Sequence, residues 1–219
     1  MNQIIQSIAG RISSRSGRMI IGISGHGAAG KTTFAHELIK LLGRENVNYL
    51  NTDPYIIGSD LRKYTTISYE HEGEQYQGKM TACHPAAHHR AALERDVQML
   101  RAGLELYTMG THYQQSELMS PRNTINIIEG MSVAFIDPGL YDLTIYMYTD
   151  GGTELARRGI RDVAERGTEL EYLLKSHQQR RSQYELFMHP LHAGFDLVIR
   201  STNDGCIVEK DAAKGLPQK

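Results

Sequence analysis

The sequence predicts an α/β domain in three layers: a mainly parallel sheet with helices on both faces. Three observations predict it. Short apolar runs alternate with helical patterns along most of the chain. The best-defined of these runs end in glycine or polar residues, as buried strands that feed loops do. The chain has 219 residues with no internal repeat and no low-complexity linker, so residues 1–219 read as a single domain with a substantial core.

The elements follow in order. Ile4, Ile8 and Ile12 recur at helical spacing and predict a short N-terminal helix packed on the domain. The same stretch has Arg11, Arg15, Arg18, several serines and no acidic residue before Glu37, a composition similar to a transit peptide. The next strand begins almost at once, which favours the packed helix. "MIIGIS", 19–24, is a buried strand. Residues 31–42 form a helix with Phe34, Leu38 and Leu42 on one face, Ala35 and Ile39 beside it, and Gly43 as its stop. "NVNYLNTD", 46–53, is a second strand. Within the tyrosine-rich segment 54–82, a hairpin turns near Glu72-Gly73. "HPAAHHRAALERDVQMLRAG" reads as a helix with Pro85 in its first turn and Gly103 past its end. "TINIIEG" and "DLTIYMYT" are the next strands. A charged helix covers about 152–166, and Thr168 and Glu171 form a capping box for another running to about Met188. "DLVIRS", 196–201, is the last strand, and the polar tail from about 209 frays.

Composition narrows the function. A net charge of −1 with dispersed basic residues gives no footprint for a nucleic acid polymer. No apolar run approaches the ~20 residues needed to span a bilayer. Cys83 and Cys206 match no metal or redox spacing, and so few cysteines suit a reducing compartment, with the cytoplasm the expected location. Assembly with further copies of the chain stays open.

In a parallel sheet the ligand sits at the carboxyl ends of the strands. Those ends are the loop 25–32, Asp53 and Glu129. The loop "GHGAAGKT" fits two phosphate-binding patterns. Gly25, Gly27 and Gly30 spell the G-x-G-x-x-G dinucleotide turn, and Asp53 even lies where a ribose-binding acid is placed. Gly25 to Thr32 also spell G-x-x-x-x-G-K-T, the P-loop. Lys31-Thr32 decides between them. A P-loop needs a lysine at that point to reach the β- and γ-phosphates and a hydroxyl next to it to ligate Mg²⁺. Gly25, His26, Gly27, Ala28, Ala29, Gly30, Lys31, Thr32 and Thr33 therefore form the expected nucleotide cradle, through backbone N–H groups at a helix N-terminus. Asp53 suits a general base that orients and deprotonates an acceptor hydroxyl, or it only starts an Asp-Pro turn.

"GISGHGAAGKTT", "NTDPY", the His-Pro segment, "IIEGM" and "ARRGIRDVAERG" occur in this order over most of the chain. The set resembles the uridine kinase family, within a wider group with phosphoribulokinases and bacterial pantothenate kinases. The resemblance implies a P-loop kinase fold with an Arg-bearing lid at roughly 152–168. It implies transfer of the γ-phosphoryl of ATP to a primary hydroxyl of a small molecule, with Mg²⁺. It places Asp53 as base and Glu129 beside Mg²⁺ or its waters, where the plain reading is a structural carboxylate near Lys31. It makes Arg157, Arg158, Arg161 and Arg166 the lid arginines: Arg157 and Arg161 share a helix face toward phosphate, Arg158 goes with the nucleotide and Arg166 with the acceptor. An ion-paired solvated helix is the alternative. Glu154 and Thr168 stand where the family's lid often has further arginines. His84, before Pro85, matches the family's nucleoside-holding histidine. His88 and His89 read as a solvated helix start.

The acceptor pocket departs from the family. The usual Pro-x-Tyr-Asp-like stretch is replaced by "LYTMGTHYQQS". Tyr49, Tyr55, Tyr64, Tyr69 and Tyr76 crowd the segment after the second strand and suit stacking on a base or a sugar face, Tyr55 first among them, although they equally suit plain hairpins; Tyr107 or Tyr113 stands in for the replaced stretch. Uridine or cytidine 5′-phosphorylation is the leading expectation. Pantothenate, a sugar or a sugar phosphate, or an NTPase switch with no small acceptor, are the alternatives.

Overall fold

The computed structural model describes residues 1–160 and 170–215. In chain order these form α1 (Asn2–Ser13), β1 (Met19–Ser24), α2 (Lys31–Leu42), β2 (Val47–Asn51), the short α3 (Ser59–Arg62), β3 (Thr66–His71), β4 (Glu74–Lys79) and α4 (Arg90–Arg101). Next come β5 (Leu106–Tyr107), β6 (Leu118–Met119), β7 (Ile125–Glu129), β8 (Leu143–Tyr148), α5 (Gly151–Arg158), α6 (Leu170–Gln183), β9 (Leu197–Ser201) and β10 (Cys206–Asp211). The main sheet has the order β10-β9-β8-β1-β7-β2. Every pairing is parallel except that of β10 with β9.

Alternation along the buried strands builds two cores. Ile21 and Ile23 of β1 join Ile127, Ile145 and Ile199 under α1 and α2, through Ile5, Ile8, Ile12, Phe34 and Leu38. Ile20 faces the other way and packs with Leu50, Ile128 and Val198 under Leu93, Val97 and Leu100 of α4. Side chains that point to opposite faces in turn thus clothe both sides of one sheet. The β3–β4 hairpin turns at Glu72 (φ 55°) and Gly73 (φ 80°), the pair of positive dihedrals a tight hairpin needs.

Three sequence expectations are corrected. Pro85 does not open the long helix. It starts a separate 3₁₀ turn, Pro85–Ala87, capped by His84, whose Nδ1 accepts from the Ala86 N–H at 3.2 Å; α4 begins only at Arg90. The helix expected to reach Met188 is α-helical to Gln183 and then widens into a π-turn, Tyr184–Met188. The strand at 197–201 is not the last, because β10 follows it, and residues 209–211 of the supposed tail are strand. Its end is tied down: Arg11 of α1 donates to both carboxylate oxygens of Asp211, at 2.9 and 2.8 Å. Among the described residues, no helix is long and apolar enough to cross a membrane.

Candidate active site

The loop between β1 and α2 is shaped by its glycines. At Gly25 (φ 138°) a Cβ would stand 1.7 Å from the Met147 carbonyl oxygen of β8, so no larger residue fits without moving the backbone. Gly30 (φ 91°) turns the chain into α2, and Ala28 (φ 63°) adopts a left-handed conformation between them. His26 is buried. Its Nε2 accepts from the Thr149 N–H at 2.9 Å and its Nδ1 lies 2.8 Å from the Gly27 carbonyl, which fixes the proton on Nδ1. Burial pushes its pKa down to about 3, so the ring is neutral.

Lys31 and Thr32, at the start of α2, meet Glu129 at the end of β7. The Lys31 ammonium donates to the His26 carbonyl at 3.0 Å and stands 3.9 Å from Glu129 Oε1. The Thr32 hydroxyl donates to Glu129 Oε2 at 3.2 Å. Tyr49, on β2, donates to that same oxygen at 2.8 Å. The Glu129 carboxylate is buried, yet it has two hydroxyl donors and a cation beside it. The Thr52 N–H donates to the Glu129 carbonyl at 2.7 Å, which brings the end of β2 against the end of β7. Gly130 makes this approach possible: a Cβ there would lie 2.1 Å from Thr52 Oγ1. Asp53 follows directly, exposed, its backbone N–H held by Asn51 Oδ1 at 2.8 Å. The three strand ends named from the sequence therefore do converge.

The flanking residues sort differently. Arg157 reaches the loop from outside: it donates to the Ala28 carbonyl (3.3 Å), Ser201 Oγ (2.9 Å) and the Thr202 carbonyl (2.8 Å), bracing the loop against the end of β9. Arg158, expected with the nucleotide, is instead buried on the inner side of α5, 3.8 Å from Glu154 one turn back, because a guanidinium there offsets that buried carboxylate. Glu154 also lies 3.5 Å from His26 Nδ1 and 3.5 Å from Arg181, a residue of α6 that the sequence did not single out. Arg161 and Arg166 lie outside the described residues, as does Thr168. His84 is partly exposed, its ring edge-on to Phe187 at 4.6 Å. Tyr107 is exposed on the β5–β6 hairpin.

Two aromatic expectations fail for packing reasons. Tyr55 has no exposed surface, and its hydroxyl donates to the buried Asp96 of α4, so it belongs to the core and not to an acceptor surface. Tyr55→Phe is accordingly expected to lower stability by about 1–3 kcal/mol, as Asp96 loses a donor, while acceptor KM stays as it was. A denaturation midpoint together with an acceptor titration checks both halves. His88 is not a solvated helix start. It is buried against Phe135, with Nδ1 2.7 Å from Ser132 Oγ and Nε2 2.9 Å from the Ala82 carbonyl, and burial pushes its pKa down to about 4.

Known proteins resemble this chain over most of its length. The profile of the Phosphoribulokinase / Uridine kinase family matches residues 20–207. A uridine kinase of Vibrio cholerae is 31% identical over 195 residues, covering 83% of this chain and 86% of that protein. Uridine-cytidine kinase 2-B of Danio rerio is 25% identical over 193 residues, covering 84% of this chain and 70% of that protein. Among solved structures, phosphoribulokinase from Rhodobacter spheroides shares the fold, with a TM-score of 0.57 at 16% identity over 84% of this chain and 70% of that one.

Proposed function

This chain belongs to the phosphoribulokinase / uridine kinase family, and from that membership and the site we propose that it transfers the γ-phosphoryl group of ATP to the 5′-hydroxyl of uridine or cytidine, with Mg²⁺. It is an ATP-dependent small-molecule kinase by family. The observation that carries the reading is the meeting of Lys31, Thr32 and Glu129 at the strand ends, beside Asp53.

The residues present suit the implied ligands. Gly25 and Gly30 give the loop the positive dihedrals of a phosphate cradle. Thr32 and Glu129 offer a hydroxyl and a carboxylate oxygen 3.2 Å apart, hard donors of the kind Mg²⁺ takes. When bound, ATP and its Mg²⁺ supply the phosphoryl group and spread the charge on its oxygens. Thr32 and Glu129 would hold the metal side. Lys31 would neutralise the phosphates, and the backbone N–H groups of 25–32 would orient them. The exposed carboxylate of Asp53 accepts the proton from the acceptor O–H as that oxygen attacks. Arg157 keeps the loop in place from behind, and Arg161 is the lid candidate. His84, Tyr107 and Arg166 serve the acceptor side.

One observation favours a different acceptor within the same chemistry. The segment that departs from the family is a hairpin, β5–β6, carrying Tyr107 and Tyr113 exposed, and Tyr55 is withdrawn into the core. A site that lacks the expected polar partners selects a ligand with different polar groups. ADP release with uridine, cytidine, pantothenate and sugar phosphates decides. Acceleration by a pyrimidine nucleoside is the expected result, and acceleration by another acceptor alone replaces the substrate while keeping the chemistry. ATP hydrolysis unaffected by any acceptor leaves the switch reading. His84→Ala is then expected to raise KM for the nucleoside severalfold with KM for ATP nearly unchanged, as steady-state titration of each substrate shows.

A further inference from the structure

We propose that Tyr49 is a positioning residue that holds the Glu129 carboxylate in the orientation needed beside nucleotide-bound Mg²⁺. The proposal rests on the kinase reading and assigns a residue the strand-end motifs do not include.

Tyr49 and Asn51 lie on one face of β2, and Asn51 pairs in register with Glu129 of β7. Tyr49 is therefore the diagonal neighbour of Glu129, at a spacing a long side chain can cross. Its ring is half-buried and edge-on to His36 of α2 at 5.4 Å, one turn beyond Thr32. The phenol is thus fixed between the helix that carries Thr32 and the strand that carries Glu129.

The pattern of donors gives the phenol its task. Glu129 Oε2 accepts from Tyr49 at 2.8 Å and from Thr32 at 3.2 Å. Oε1 has Lys31 at 3.9 Å, beyond hydrogen-bond length. Among the described residues, the shorter of the two hydrogen bonds on the carboxylate, and the one that does not depend on a residue of the phosphate loop, is therefore the one from Tyr49. Thr32 and Lys31 must both redirect their polar atoms when phosphates enter. Tyr49 need not, so it can keep Glu129 in place before and after binding. A phenol ordinarily ionises only near pH ~10, so the O–H is a donor at neutral pH. A purely structural role would ask only for the ring, which phenylalanine supplies.

The test is binding rather than turnover. Calorimetry would follow a non-hydrolysable ATP analogue on wild type, Tyr49→Phe and Tyr49→Met, in EDTA and across a Mg²⁺ series. Thermal midpoints would establish that each variant is folded. In EDTA, analogue affinity should be the same for all three proteins. The Mg²⁺ concentration for half-maximal tightening should rise roughly tenfold in both variants, the size seen when partners of a metal-side ligand are removed. Unchanged Mg²⁺ dependence in the variants overturns the proposal, whatever their thermal midpoints. A wild type whose analogue affinity ignores Mg²⁺ overturns the reading beneath it, and that result is separate because it appears before any substitution is made.

Discussion

Lys31→Ala is expected to lower turnover by at least about a hundredfold while the protein stays folded. Phosphoryl transfer places growing charge on oxygens, and a fixed ammonium beside them acts mainly in the transition state. The structure limits the collateral damage. Among the described residues the Lys31 side chain makes one hydrogen bond, to the His26 carbonyl, and its other neighbour, Glu129, keeps Thr32 and Tyr49 as donors. The loop shape is set by Gly25, Gly30 and the His26–Thr149 contact, none of which uses the lysine. ATP binding should therefore fall less than turnover. Stopped-flow single-turnover measurements with ATP at saturation separate the two, and near-normal transfer by the folded variant would end the P-loop assignment.

Asp53→Asn is expected to cost between about a hundredfold and ten-thousandfold in kcat, with nucleotide affinity retained, because the amide keeps the shape and cannot take the proton. The side chain is exposed and the local turn is held by the backbone N–H bond to Asn51, so the change removes chemistry and leaves the fold alone. The informative comparison is turnover per bound complex. If nucleotide binding collapses while the bound fraction turns over normally, Asp53 belongs to the metal or phosphate shell and the base lies elsewhere.

What the sequence made legible were features with a local cause. Apolar runs such as 19–24 and 125–129 are buried on both faces, and that leaves a mark in composition. The β3–β4 turn follows from Glu72-Gly73, and the loop from Gly25, Gly30 and Lys31-Thr32. What escaped depends on contacts between distant segments. Tyr55 is drawn inward by Asp96, and His88 by Ser132 and Ala82, with no periodicity to announce either. Arg158 had the same spacing as its neighbours, but α5 turns it inward onto Glu154. Tyr49 was visible only as one of a crowd of tyrosines, because its partner lies on β7, 80 residues later in the chain. Strand β10 was missed since "CIVEKD" has too mixed a pattern to mark a face.

The Arg11–Asp211 pair also bears on how the chain folds. It joins positions 200 residues apart in sequence. Closing so long a segment is entropically costly, so such a contact forms only when the structure between has already brought its ends together. The parallel ladders of β1 with β7 and β8 must precede it, since they carry α1 and β9 to the same side. The seam between α1 and β10 thus closes after those ladders have formed. Hydrogen exchange is expected to find the amides of this seam less protected than those of β1, at the centre of the sheet.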